Sequence, residues 1–140
     1  MTYTRTVTVD MPYEQAMERT RAALAEHGFG ILTEIDVNAT FAAKLGDEAA
    51  DKVGAYTILG ACNPGLASKA LAAEPELGAL LPCNVVVRRG KDAEQTTIEA
   101  IDPQTMVQLS GSPQVREVAD DADVRLRAAL SAISDAASGS

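Results

Sequence analysis

The chain has 140 residues, enough for one hydrophobic core and too few for two. Hydrophobic residues make up 46% of the sequence and charged residues 23%, a composition typical of a globular protein rather than a disordered one. The formal net charge is -8 and the basic residues form no run, so a nucleic-acid partner is not expected, because a polyanion would be repelled.

The first residues predict a strand followed by a helix. Residues 3–9 alternate between two faces and are rich in threonine and valine, which favours a strand. Asp10-Met11-Pro12 interrupts the alternation, and Pro12 is placed at the first helical position. Apolar residues then recur at helical spacing through residues 13–27, and Gly28 follows as a candidate C-cap.

Residues 29–37 predict a second strand, which is followed by a short helix. The alternation assigns two faces to this strand, one with Phe29, Ile31, Thr33 and Ile35, the other with Leu32, Glu34 and Asp36. Asn38 is predicted to cap a helix over residues 39–45, which Gly46 ends. Residues 47–55 have no clear period and are predicted to form a surface connection.

The stretch YTILGACNPGLASKALAAEPELGALLPCNVVV, residues 56–87, contains both cysteines of the chain. Residues 56–61 predict a short strand. Asn63 is then placed as N-cap and Pro64 as first residue of a helix that ends at Glu74-Pro75, because the residue before a proline avoids the helical region. Residues 75–81 predict a short turn.

The remaining residues predict a hairpin and two helices. Residues 85–88 and 96–101 form the hairpin strands, and Asp102-Pro103 starts a short helix over residues 104–109. The last helix carries apolar residues at helical spacing from Val115 to Ile133. We expect a single domain over residues 1–134 and a frayed tail over residues 135–140.

The order of the predicted elements, β-α-β-(α)-β-α-β-β-α, indicates an α+β fold. We expect an α/β sandwich in which helices pack on a mixed, largely antiparallel sheet. No stretch approaches the ~18 consecutive apolar residues of a membrane span, and the N-terminus lacks the apolar region of a signal peptide. We therefore expect a small soluble cytoplasmic protein without a membrane partner, in which thiols stay reduced.

Cys62-Asn63-Pro64 is the sharpest local feature. A thiol just before a helix faces unpaired amides and the positive end of the helix dipole, and both favour the thiolate. The same amides are able to hold a phosphate or a carboxylate. Alternatively, Cys62 is a small buried hydrophobe in front of a helix cap, since no histidine lies near it in sequence to act as a base.

Cys83-Asn84 offers a second thiol, whose distance from Cys62 depends on strand direction. If the two flanking strands are antiparallel, the cysteines come close together; a parallel crossover separates them by about the length of a strand. A disulfide needs Cα atoms within ~7 Å. The sequence leaves both arrangements open.

Three further residues are candidates for a ligand site. Glu34 and Asp36 are two apart on a strand and so point to one side, where they would bind a metal, act in acid-base chemistry or simply form a solvated face. Tyr56 begins the central strand and is expected to pack in the core with its hydroxyl at the rim. Isolated lysines such as Lys69 are able to contact an anion, although they are usually surface residues.

No known catalytic or cofactor motif is present. The glycines fit neither the dinucleotide-binding nor the P-loop spacing, and there is no G-x-S-x-G elbow. Cys62, Cys83 and His27 would supply at most three soft ligands, so no dedicated metal site is predicted, and His27 is better suited to complement a helix C-terminus. The catalytic residues, if there are any, and the cofactor stay unknown.

Three blocks of the sequence resemble the DUF302 family of small bacterial and archaeal proteins. The blocks are GFGILTEIDV, the stretch over residues 56–87 and AIDPQTM. The resemblance covers residues 5–110 and implies a compact α/β domain, often reported to self-associate, with no established biochemical function. The family motif falls on Glu34, Asp36, Tyr56, Gly60, Cys62, Asn63, Pro64, Pro82, Cys83 and Asn84.

Three functions follow, in order of preference. The first is binding of a small molecule or an anion in a pocket at the Cys62-Asn63-Pro64 helix start, with Glu34, Asp36, Tyr56, Cys83 and Asn84 as further candidates. Metal binding through mixed cysteine and carboxylate ligands is a variant of it. The second is a homodimeric interaction module without chemistry. The third is a thiol redox protein using Cys62, with Cys83 resolving.

Overall fold

The computed structural model describes residues 2–138, which form a five-stranded sheet and six α-helices. The strands are β1 (Thr4–Val9), β2 (Gly30–Asp36), β3 (Ala55–Cys62), β4 (Cys83–Arg89) and β5 (Thr96–Ile101). The helices are α1 (Tyr13–Glu26), α2 (Val37–Leu45), α3 (Asp47–Val53), α4 (Pro64–Ala73), α5 (Gln104–Leu109) and α6 (Pro113–Ser138), with a 3₁₀ turn at Pro75–Leu80.

The strand order is β1-β5-β4-β3-β2, and every neighbouring pair in the described chain is antiparallel. The α+β prediction is confirmed, and the sheet is antiparallel throughout rather than mixed. β1 and β2 point the same way but occupy opposite edges of the sheet. The β-α-β order at the start of the chain therefore does not create a parallel pair, because α1 crosses the whole sheet between them.

One face of the sheet forms the core with α1 and α6. The buried strand residues on this face include Val9, Leu59, Val85, Val87 and Ile98, and the helices contribute Leu24, Leu126 and Ile133. Full burial of one such side chain stabilises the fold by about 1.5–3 kcal/mol. The apolar periodicity that predicted both helices is confirmed by these buried positions.

A smaller cluster joins α4, α5, α6 and the 3₁₀ turn beside the sheet. Its buried members are Ala70, Leu77, Met106, Val115, Val118 and Ala119. This cluster fixes α4 against α6, and it therefore sets the geometry around the ends of β3 and β4, where the two cysteines lie.

The second face of the sheet contributes no residue to either core cluster. Ile35, Ile58 and Val86 are aligned by register across β2, β3 and β4 on this face. Gly60 lies beside them, and a Cβ at this position would stand 2.8 Å from Cγ of Pro82 and would also meet Thr33. Glycine is thus required where β3 passes between two side chains.

The predicted faces of β2 are wrong at one point, because the strand has an irregularity between Ile31 and Thr33. Such a bulge leaves an extra residue unpaired and reverses the alternation beyond it. Ile31 lies opposite buried Ala61, whereas Thr33 and Ile35 lie on the other face. Leu32, at the bulge, is 64% exposed.

Two predictions about residues 38–55 are also wrong. Asp36, not Asn38, caps α2, since its carboxylate accepts a hydrogen bond from the amide of Ala39 at 2.9 Å. The amide nitrogen of Asn38 donates instead to the carbonyls of Ala50 and Gly54, 2.9 and 2.8 Å away. These bonds join the start of α2 to the end of α3. Helix α3 occupies most of residues 47–55, which were predicted to form a surface connection.

The predicted frayed tail begins within α6, which continues through Ser138. Its last two residues, at positions 139 and 140, lie outside the described residues, as does Met1.

Candidate functional site

The antiparallel pairing of β3 and β4 brings the two cysteines together. Cys83 lies opposite Ala61 in the register, so Cys62 is the next residue along β3. Both cysteines are free. Of the two arrangements that the sequence left open, the fold adopts the one in which the cysteines are close.

Both cysteines line a small cavity between the end of the sheet and helices α4 and α6. The other walls are apolar and include Phe29, Leu66, Leu81, Met106 and Val118. The cavity measures about 30 Å³, more than the ~10–15 Å³ that is needed to hold one water molecule. By itself this thiol cavity therefore has room for a small apolar group, such as the tip of an aliphatic side chain.

The two thiols have different surroundings. Cys83 is buried, and desolvation by burial, followed by the nearby Cys62, raises the pKa of Cys83 to about 11. At neutral pH Cys83 is consequently a neutral thiol. Cys62 is half-buried and is the more accessible of the pair.

Asn63 caps α4 as predicted and also makes a contact that the sequence did not reveal. Its carboxamide oxygen accepts a hydrogen bond from the amide of Leu66 at 3.1 Å, and its carboxamide nitrogen donates to the carbonyl of Gly28 at 3.0 Å. The second bond joins the start of α4 to the end of α1. Gly28 has a φ of 89°, the left-handed backbone that favours glycine after a helix.

A larger groove runs between α4 and α6, next to the thiol cavity. It has a volume of about 420 Å³, and its walls include Lys69 from α4 and Glu117 and Asp121 from α6. Leu66 and Val118 line both the groove and the thiol cavity. The groove and the cavity are therefore adjacent, and these two apolar side chains stand where they meet.

The α6 side of this groove was missed by the sequence reasoning. Glu117 and Asp121 are four residues apart, and this spacing places them on one face of α6 beside Val118. The apolar periodicity identified Val118 as a core residue, but it could not show which helix would face the two carboxylates. Lys69 was noticed only as an isolated lysine.

Glu34 and Asp36 lie away from the cysteines. Glu34 is opposite Leu59, three residues before Cys62, which is roughly 10 Å along the strand at about 3.3 Å per residue. Glu34 pairs with Arg21 of α1, and Asp36 caps α2. The sequence-predicted candidates are therefore divided between two places on the sheet.

The two carboxylates line a separate pocket of about 330 Å³ with Tyr13. The hydroxyl of Tyr13 is hydrogen bonded to the hydroxyl of Thr57, and burial raises the pKa of Tyr13. Tyr56 lines a neighbouring pocket with Tyr13 and Asp36. Tyr13 was identified from the sequence only as a residue of the helix face.

Asn84 has no role corresponding to that of Asn63. It lies opposite Gly60 on the second face of the sheet, where it is exposed. The described side chains give it no hydrogen-bond partner. The two Cys-Asn pairs are thus alike in sequence and different in structure.

Within residues 2–138, no three His, Cys, Asp or Glu side chains are grouped so that they could hold a metal ion. No helix in the same range is long and apolar enough to cross a membrane.

Comparison with known proteins identifies one family. A family model described as "Domain of unknown function DUF302" matches residues 5–133. A crystal structure of an uncharacterized conserved protein DUF302 from Bacillus stearothermophilus is 29% identical in sequence, with a TM-score of 0.81; the match covers 95% of this chain and 99% of that one. No protein among those with curated descriptions matches the chain.

Proposed function

Because the chain belongs to the DUF302 family, whose description names no activity, we propose from its geometry that it is a small-molecule-binding domain. The ligand occupies the groove between α4 and α6, and its inner end points at the thiol cavity. The observation that supports this proposal is the groove of about 420 Å³, which shares Leu66 and Val118 with the cavity that Cys62 and Cys83 line.

The size and lining of the groove are those of a ligand site. Small-molecule pockets usually measure about 300–1,000 Å³ and are mostly apolar with a few polar groups. The groove falls within this range, and its apolar lining consists of Leu66 and Val118, which it shares with the thiol cavity, and of the exposed small side chains of Ala72 and Ala73. A buried cysteine with a strongly raised pKa behind the floor is the kind of perturbed group that clusters at functional sites.

An apolar ligand end fits this place better than an anion. The carboxamide of Asn63 already engages the amide of Leu66, one of those that would otherwise face an anion at the start of α4. The walls of the thiol cavity are almost entirely apolar. The net charge of -8 also disfavours the approach of a free anion.

A thiol redox function has less support. A resolving thiol reacts as its thiolate, and burial keeps Cys83 protonated at neutral pH because its pKa is raised to about 11. The adjacency of Cys62 and Cys83 alone does not offset this.

Small organic compounds can be screened by thermal shift, and the hits measured by calorimetry. We expect hits to bind at least tenfold more weakly to Leu66→Trp, which fills the groove from α4. They should bind unchanged to Leu109→Trp, at a position on α5 that is 69% exposed and outside the groove. Hits that bind Leu66→Trp as well as the natural chain, or the absence of any hit, would contradict the proposal.

A second candidate function is self-association through the second face of the sheet. Ile35, Ile58 and Val86 form a row across three strands on this face, and Ile35 is 48% exposed. A row of apolar side chains on a sheet face without a core cluster is a surface that a second copy would cover. A stable dimer would bury about 1,200–2,000 Å² of total surface.

Light scattering during size-exclusion chromatography tests the second candidate. We expect a dimer at micromolar concentration, a monomer for Val86→Lys, and a dimer for Val124→Lys, which places the same charge at a 68% exposed position of α6, the helix that packs on the other face of the sheet. A monomeric natural chain, or a Val86→Lys variant with the mass of a dimer, would rule this surface out.

A further inference from the structure

We infer that the ligand of the α4–α6 groove is a zwitterion with an aliphatic side chain, the chemistry of a free branched-chain amino acid. This inference rests on the proposed function of the groove and adds the substrate class to it. It is argued from the charges on the two walls and from the shape of the floor.

The two walls of the groove carry opposite charges. Lys69 projects from α4, while Glu117 and Asp121 project from α6. In the part of the chain whose side chains are described, Lys69 and Glu117 have no ion-pair partner. Both are therefore available to a ligand, one for a carboxylate and the other for an ammonium group.

Asp121 is partly engaged. One of its carboxylate oxygens accepts a hydrogen bond from Nε of Arg125 at 2.8 Å, in an ion pair within α6. A carboxylate accepts several hydrogen bonds, so the second oxygen of Asp121 remains able to accept one from an ammonium group beside Glu117. The ammonium side of the site would thus consist of two carboxylates one helical turn apart.

The charges at the groove cancel. The lining carries one cation, Lys69, and two carboxylates, Glu117 and Asp121, and Arg125, which lies outside the lining, pairs with Asp121. A ligand with a net charge would leave one wall unmatched, whereas a zwitterion presents one group to each wall. Charge-assisted hydrogen bonds of this kind are about twice as strong as neutral ones.

The apolar floor of the groove determines where the apolar part of the ligand lies. Leu66 and Val118 lie between the groove and the thiol cavity, and the cavity has room for a methyl-sized group. A branched aliphatic side chain places methyl groups at its tip.

Calorimetry with the full chain tests the inference, with L-leucine as the probe. Three analogues remove one feature each: 3-methylbutylamine lacks the carboxylate, 4-methylpentanoate lacks the ammonium group, and 3-methylbutan-1-ol lacks both charges. We expect L-leucine to bind at least tenfold more tightly than each of the three. Lys69→Met should remove the preference over the amine, and Glu117→Gln the preference over the acid.

Lys44→Met is the matched control, because Lys44 lies on α2 outside the groove and the substitution removes the same charge. It should leave all four affinities unchanged. If 3-methylbutan-1-ol binds as tightly as L-leucine, and Leu66→Trp abolishes both, the zwitterion inference is overturned while the proposed function stands. The same holds if none of the four compounds binds but screening hits occupy the groove. If no compound of any class binds, both fail.

Discussion

At the scale of single residues, the pair of thiols is asymmetric because burial acts on one of them. Cys83, the first residue of β4, is buried, whereas Cys62, the last residue of β3, is half-buried. Desolvation favours the neutral form of a thiol, and this is the main reason why the pKa of Cys83 is raised. In the folded chain the thiol of Cys83 is therefore buried and protonated, and the nearby thiol of Cys62 is the more accessible one.

This pKa makes the stability of the fold depend on pH in the alkaline range. At pH 8 and below, the thiol of Cys83 is almost fully protonated in both the folded and the unfolded chain. Between pH 9.0 and about 11 the unfolded chain loses this proton and the folded chain keeps it, so the free energy of unfolding falls as pH rises. We expect Cys83→Ala to remove about 1–3 kcal/mol of this fall, as measured by urea unfolding at pH 8 to 11 under reducing conditions.

Cys62→Ala is the control for that experiment, since it removes a cysteine but leaves Cys83 in place. It should retain most of the alkaline fall. Tyr13, whose pKa is also raised, is present in all three proteins and cancels in the comparison. An alkaline fall of equal size in the natural chain and in Cys83→Ala would refute the assignment.

The residue-level site was only partly predictable from the sequence. The cap at Asn63 is a local pattern, and it was correctly predicted. The proximity of Cys62 and Cys83 depends on strand direction, which no local pattern encodes. The separation of Glu34 from the cysteines depends on the register of β2 against β3, which a bulge shifts.

At the scale of elements, Asn63 determines where α4 begins and how it is joined to α1. Its two hydrogen bonds satisfy one amide at the start of α4 and one carbonyl after α1. We expect Asn63→Ala to lower the free energy of unfolding by about 1–3 kcal/mol, because a lost cap costs ~1 kcal/mol and the second bond adds a similar amount. Urea unfolding monitored by circular dichroism measures the change.

Asn84→Ala provides a control of the same residue type, also preceded by a cysteine. Its side chain is exposed and lacks a described partner, so the substitution should change stability by less than about 0.5 kcal/mol. If both variants lowered the free energy of unfolding equally, the two hydrogen bonds of Asn63 would not be the source of the effect.

The predictability of the elements followed their length and periodicity. α1 and α6 have a sustained apolar face, and their positions were predicted correctly. α3 has seven residues and only one buried side chain, Ala50, so its sequence has no periodic signal. Asn38 donates hydrogen bonds to the carbonyls of Ala50 and Gly54 near the end of α3, and it lies too far away in sequence for a local pattern to show these contacts.

At the scale of the whole molecule, a charged contact joins the first strand to the last helix. Nε and Nη2 of Arg5 in β1 each donate to the carboxylate of Asp123 in α6 at 3.2 Å, and Asp123 is 8% exposed. Arg5 also pairs with Asp102 at 3.4 Å. The bidentate bond holds the edge strand against the helix that covers it.

We expect Asp123→Asn to lower the free energy of unfolding by about 1–2 kcal/mol, since it removes the charge of a partly buried hydrogen-bonded pair. Asp135→Asn, which makes the same change at an exposed position of α6, should have little effect. Urea unfolding of both variants measures the two changes in the free energy of unfolding. An Asp123→Asn variant as stable as the natural chain would mean that apolar packing alone holds β1.

The position of β1 also has a consequence for the synthesis of the chain. In the described sheet residues 4–9 pair with residues 96–101, so β1 has left the ribosome well before its partner β5 has emerged. At roughly 5–20 residues per second, that delay is on the order of 5–20 s. During this time β2, β3 and β4 can assemble through their own contacts, while the nascent first strand stays unpaired and available to a chaperone.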